Sequence, residues 1–142
     1  MKRIGSRGSG QRGAVAVEFA LIFPVLALLV VGIIQFGIVW SEYQVMQGAA
    51  REGARCAAVQ ASGYATCVPQ ASVDAALPGG YTRSGPVSVA VEGGGSVCTA
   101  DTVGRNVTVS WTQDFGMGVM SNLIPIIPDS ITREISGTFR CE

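Results

Sequence analysis

RGAVAVEFALIFP, residues 12–24, runs from a basic residue into an apolar segment that holds a single carboxylate, Glu18. The apolar run extends over residues 14–40 and is interrupted only by Glu18 and Gln35. As an α-helix rising about 1.5 Å per residue, that stretch is roughly 40 Å long, more than the ~30 Å hydrocarbon core of a bilayer. It reads as a transmembrane helix. Pro24 lies inside it and cannot donate to the carbonyl of Ala20, so a kink or local opening is expected there. An acid at mid-span costs about 2.5 to 3.5 kcal/mol on insertion scales and less near an end. Glu18 therefore asks for a cationic partner, unless it only complements the helix N-terminus or snorkels to the interface.

Upstream, MKRIGSRGSGQRG (residues 1–13) carries Lys2, Arg3, Arg7 and Arg12 with no acid, and has no periodicity on which to build a helix or strand. It reads as a flexible basic leader. Basic residues on this side of the span place the N-terminus in the cytoplasm and the rest of the chain across the membrane. GSGQRG, residues 8–13, matches a dinucleotide-binding string, but that fingerprint needs a preceding strand and a βαβ unit, for which there is no room. Without the leader, six basic residues face ten acidic ones, a net charge of −4 that argues against nucleic acid as a partner.

Downstream, residues 41–61 keep helix-forming composition with no breaker before Gly63, so the span is expected to continue as one rod to about Gln60. Small residues recur every fourth position, Ala49, Gly53, Ala57 and Ala50, Ala54, Ala58. That flank suits close approach of another surface, either this chain's own domain or a second subunit. Glu42, Arg51, Glu52 and Arg55 suit the wet side. Residues 62–142 read as a small domain: a short helix in PQASVDAAL ended by Pro78, then three alternating segments. These are PVSVAVE with Val87, Val89 and Val91 on one face, NVTVSWT with Val107, Val109 and Trp111, and ITREISGTFRC with Ile131, Ile135, Phe139 and Cys141. The expected fold is α+β, a long N-terminal transmembrane helix extending into a small antiparallel sheet. Between the second and third segments, DFGMGVMSNLIPIIPD is apolar enough to cover the core or to touch a partner or lipid; core cover is the expectation.

Cys56, Cys67, Cys98 and Cys141 are an even number with no C-x-x-C pair, which favours two disulfides and an oxidising compartment beyond the membrane. Cys98 precedes the second strand and Cys141 ends the third, so Cys98 with Cys141 and Cys56 with Cys67 is the preferred pairing among three connectivities.

Little in the chain supports catalysis. Histidine is absent and Lys2 is the sole lysine, which removes histidine-dependent triads, histidine–metal sites and lysine nucleophiles. Asp101, Asp114 and Asp129 sit among Gly, Thr and Pro and read as solvated turn residues. No enzymatic activity, cofactor or metal is expected. The triplet NVT at Asn106 fits a glycosylation acceptor but overlaps a strand. An ordinary cleaved signal peptide is a poor fit, because secretory apolar regions run about 7 to 15 residues and this one is longer.

The segment RGAVAVEF resembles the processing site of type IV prepilin-like proteins, most closely the Flp/Tad (tight adherence) branch. The resemblance implies cleavage between Gly13 and Ala14 by a prepilin peptidase, with Glu18 the fifth residue of the mature protein and Phe19 the motif aromatic. The new amino group of Ala14 would lie one helical turn from Glu18 on the same face, and the amino group met during assembly would belong to a neighbouring subunit. AAREGAR, residues 49–55, and the small outer domain look like TadE-like minor pilins, or pseudopilins. That family implies a structural role in initiating, priming or capping an adhesive Flp pilus. It also implies a bacterial inner-membrane location with a periplasmic domain, and incorporation into a surface pilus is one outcome. The implied partners are the membrane, the peptidase, the Flp major pilin, other pseudopilins and the Tad inner-membrane assembly platform. Two other readings stay open: a single-span protein whose external domain binds a ligand or partner unrelated to pili, and an exported module released by signal peptidase.

Overall fold

The structure, a computed structural model, describes residues 9–62 and 67–142. Lys2, Arg3 and Arg7 of the leader, and Gly63 at the expected helix end, lie outside them. Helix α1 (Ser9–Ala58) is a single rod that passes through Pro24 and closes in a 3₁₀ turn, Val59–Ser62. It starts inside the stretch expected to be leader, because adding turns to an existing helix needs no new nucleus. Helix α2 (Pro69–Ala76) opens on a proline, whose missing N–H costs nothing in a first turn. Strands β1 (Ser88–Val91), β2 (Asn106–Gly116) and β3 (Ser130–Arg140) form an antiparallel sheet in that order, with Val91 opposite Val107 and Trp111 opposite Ile135. A short helix, α3 (Val119–Leu123), lies in the β2–β3 connection.

The last part of α1 forms the centre of the core. Met46, Ala49, Ala50, Ala54, Ala57 and Ala58 are buried against Val73 of α2, Val107, Val109, Trp111 and Phe115 of β2, and Ile135 of β3. The small-residue flank thus packs on the chain's own domain. Two glycines permit the close approach. A methyl group on Gly137 would lie 2.5 Å from the carbonyl carbon and oxygen of Ala50, so the helix backbone rests directly on β3. A methyl group on Gly53 would collide with the Val73 side chain. Arg51, Glu52 and Arg55 face water as expected, whereas Glu42 is half-buried.

Four details depart from the sequence reading. Strand β2 extends to Gly116, so the buried stripe continues through Gln113 and Phe115. Gln113 keeps its burial cheap by bonding through both amide atoms: its Oε1 accepts from Trp111 Nε1 (3.2 Å) and from the Ser84 amide (3.0 Å), and its Nε2 donates to the Thr82 carbonyl (3.2 Å). Asp114 is a strand residue, not a turn residue, and accepts a hydrogen bond from Thr132 of the facing strand. Phe139 shares the face of Ile135 yet is 40% exposed, because β3 is an edge strand with no further strand paired beyond it among the described residues.

The fourth correction concerns the apolar connection between β2 and β3. It does not cover the core: no residue from 117 to 128 is buried, and Ile126 is 92% exposed. The long hairpin runs beside α1 toward its N-terminal half. Phe115 meets Tyr43 with ring centroids 6.1 Å apart, and the connection beyond it reaches Gln35.

Cys56 pairs with Cys67 and Cys98 with Cys141, each with Cα atoms 5.7 Å apart, within the range disulfides require. The first ties the end of α1 to the start of α2, and the second ties the 98–104 turn to the end of β3. Arg83 clamps α2 from the segment before β1, donating from Nε to Asp74 Oδ1 (2.6 Å) and from Nη2 to Oδ2 (3.2 Å). The hydrogen bond from Arg83 lowers the Asp74 carboxyl below the ordinary carboxylate value; burial pushes it up less strongly, and the guanidinium charge adds a smaller lowering. Because the folded pKa lies below the unfolded one, the pair's contribution is complete above the unfolded value and is lost as pH falls through the folded value. Asp74 is half exposed, so that contribution is small, roughly 0.2 to 1 kcal/mol. Asp74→Asn is expected to cost about that much at neutral pH and to flatten the acid limb of a stability curve below about pH 4, as read by urea denaturation at several pH values. An unchanged acid limb would remove Asp74 from the account.

Candidate functional site: the N-terminal face of the long helix

Gly13, Ala14, Glu18 and Phe19 occupy the first turns of α1, and all four are exposed. Helix geometry puts Glu18 one turn beyond Ala14, about 6 Å along the axis and on the same face. Phe19 stacks loosely on Phe23, ring centroids 5.5 Å apart, so the two aromatics form one ridge beside the carboxylate. No other part of the described chain packs there: the apolar window of the helix is 0% buried. Val15, Val17, Phe19, Leu21 and Val25 are each more than 60% exposed.

A continuous apolar surface of this size is stable only where water is replaced by lipid or by other apolar helices. Glu18 lies within it, and no group of the described chain forms an ion pair with it. An added methyl on Gly13 would meet no atom of the described residues within 4 Å, so packing among them gives no reason for glycine at that position. What glycine does supply is a weak point. It is disfavoured in a helix by about 1 kcal/mol relative to alanine, so the backbone around the Gly13–Ala14 bond opens at a lower cost than with alanine there.

The groups singled out from sequence thus share one helix end but make no closed site within one chain. The cysteines lie at the other end of α1 and in the domain, where they are paired and structural. Release by signal peptidase near Gly48 or Ala50 would cut inside the helix that supplies the core and remove Met46, which is fully buried.

The architecture is that of an α+β protein with one helix long and apolar enough to cross a bilayer, carrying a small disulfide-bonded domain at its far end. The model of the TadE-like protein family matches residues 13–55, from the glycine of the RGAVAVEF segment through the last arginine of AAREGAR. Over that stretch the chain is similar to TadE-like proteins; α2 and the sheet lie outside it. No curated protein and no solved structure matches the chain.

Proposed function

We propose that this chain is a minor pilin-like subunit of a Flp/Tad pilus system, processed between Gly13 and Ala14 and acting structurally rather than catalytically. The observation that carries the proposal is the coincidence of boundaries. The TadE-like match begins at Gly13, the residue that opens the exposed apolar face bearing Glu18. Processing there creates an amino group at the end of an apolar helix, one turn from a carboxylate. Two such helices side by side then let the amino group of one chain meet Glu18 of the next, which stabilises both charges in a poorly hydrated setting.

In this reading the basic leader holds the N-terminus in the cytoplasm, the helix resides in the bacterial inner membrane, and the disulfide-bonded domain stands in the periplasm. The outer domain contributes contacts to other pilins and to the assembly platform, and the helix contributes lateral packing. Deleting the coding sequence in a strain that makes Tad pili is expected to reduce surface pili and adherence at least tenfold, with recovery when the full chain is restored. Normal piliation in the deletion strain would contradict the proposal.

A further inference from the structure

We infer that the β2–β3 tip, residues 117–128, is a second membrane element that inserts into the leaflet on the domain's side and sets how the domain stands on the bilayer. The inference rests on the span reading of α1. The apolar face of that helix ends at Trp40 and Tyr43, aromatic residues of the kind that lie at the headgroup level. The tip reaches well below them. Gly118 approaches Gln35 so closely that a methyl group on it would sit 3.2 Å from Gln35 Oε1. Gln35 lies five residues before Trp40, about 7 to 8 Å deeper along the helix. With α1 across a bilayer, residues around Gly118 are therefore within the outer part of the hydrocarbon.

The chemistry of the tip suits that depth. MGVMSNLIPIIP contains no charged residue. Val119, Leu123 and Ile126 are exposed, while Met117 and Met120 turn toward α1 and are half-buried. Backbone polar groups in lipid need internal partners, and the tip supplies several. The amide of Met117 donates to the Asp129 carbonyl, Met120 to Met117, Ile124 to Met120, and Ile127 to Ile124, at 2.8 to 3.1 Å. Ser121 Oγ and Asn122 Nδ2 both donate to the Gly118 carbonyl, and Pro125 and Pro128 have no N–H to satisfy. Between tip and helix lies an apolar groove of about 560 Å³, walled by Phe36, Trp40 and Tyr43 on one side and Met117, Met120 and Ile131 on the other. Arg133 also lines it and is exposed, which supplies a cation for a lipid phosphate. The groove is continuous with the lipid-facing surface of α1, so the occupant it fits is an acyl chain.

Tryptophan depth measurements on the full chain in phosphatidylcholine–phosphatidylglycerol vesicles test this. In a Trp40→Phe background, Ile126→Trp reports the tip, Phe23→Trp the middle of the span, and Val103→Trp the far end of the domain. The signal of the parent retaining Trp111 is subtracted. Lipids brominated on their acyl chains are expected to quench residues 23 and 126 at least twofold, with blue-shifted emission, and to leave residue 103 unquenched. Quenching at 23 but not at 126 overturns the tip proposal while the span stands, whereas quenching at neither overturns the span itself. A shielded but unquenched residue 126, with emission that depends on protein density, would assign the tip to a protein partner and also overturn the proposal.

Discussion

Gly137→Val is expected to cost at least about 3 kcal/mol, enough to leave the outer domain largely unfolded or molten in detergent micelles. The reason is local. The position lies where the α1 backbone rests on β3, and the obstructing atoms are the carbonyl carbon and oxygen of Ala50. A side chain could rotate out of the way of an added group, but a helix backbone cannot without separating from the sheet. Since Met46, Ala49, Ala50 and Ala54 are buried along the same contact, the damage spreads through the core. Gly137→Ala should fall between the wild type and valine. Gly48 provides the contrast: it is exposed, helical and free of neighbours within 4 Å. Gly48→Ala should raise stability by up to about 1 kcal/mol through helix propensity alone. Urea denaturation followed by Trp111 fluorescence distinguishes these outcomes, and a wild-type midpoint for Gly137→Val would show that the helix–sheet contact is not close-packed.

The second large effect is expected at Glu18. Glu18→Ala removes a charge from a membrane helix, so insertion and steady-state level should be unchanged or improved. Assembly should suffer instead. Removing one partner of a poorly solvated ion pair typically costs about 3 to 5 kcal/mol, because the other charge is left unpaired. The amino group of Ala14 on an adjacent helix would be in that position, and surface pili are expected to fall at least tenfold. Glu18→Gln, which keeps the shape and loses the charge, should resemble alanine. Pilus counts by electron microscopy, alongside immunoblots of the membrane fraction, give both readouts. Full piliation with either variant would rule out the pairing role.

The span and the sheet were legible in the sequence because each rests on a local regularity. A run of apolar residues longer than a bilayer is thick needs no partner to be recognised. The alternation of Val107, Val109 and Trp111 fixes a strand and its buried face in the same way. The strand expected from the alternation ends at Thr112, because Gln113 interrupts the apolar series. The period of two continues through it to Phe115, and the polar side chain is buried by bonds to residues about thirty positions away. Such bonds leave no trace in local composition. The small residues from Ala49 to Ala58 announced a close contact but not its identity, since a sheet of the same chain and a neighbouring helix place the same demand on them. Gly137, which completes that contact, looked like an ordinary strand glycine.

The apolar β2–β3 connection was misread for a related reason. Hydrophobicity tells that a segment avoids water, not which apolar medium receives it, and only the hairpin's length and direction place the tip beside Gln35. Of the candidate site, the structure shows only that Gly13, Ala14, Glu18 and Phe19 stand together on one exposed helix end. Under the proposed function their partner is another molecule, so one folded chain presents the face and not its occupant.

Under the proposed function, Gly13 and Ala14 are the two sides of a processing bond. Intact-mass measurement and N-terminal sequencing of the chain from membranes, in strains with and without a prepilin peptidase, test it directly. Ala14 is expected as the first residue when the peptidase is present, and residues 1–13 are expected to be retained when it is absent. A retained leader in both strains, or a first residue beyond position 45, would contradict it.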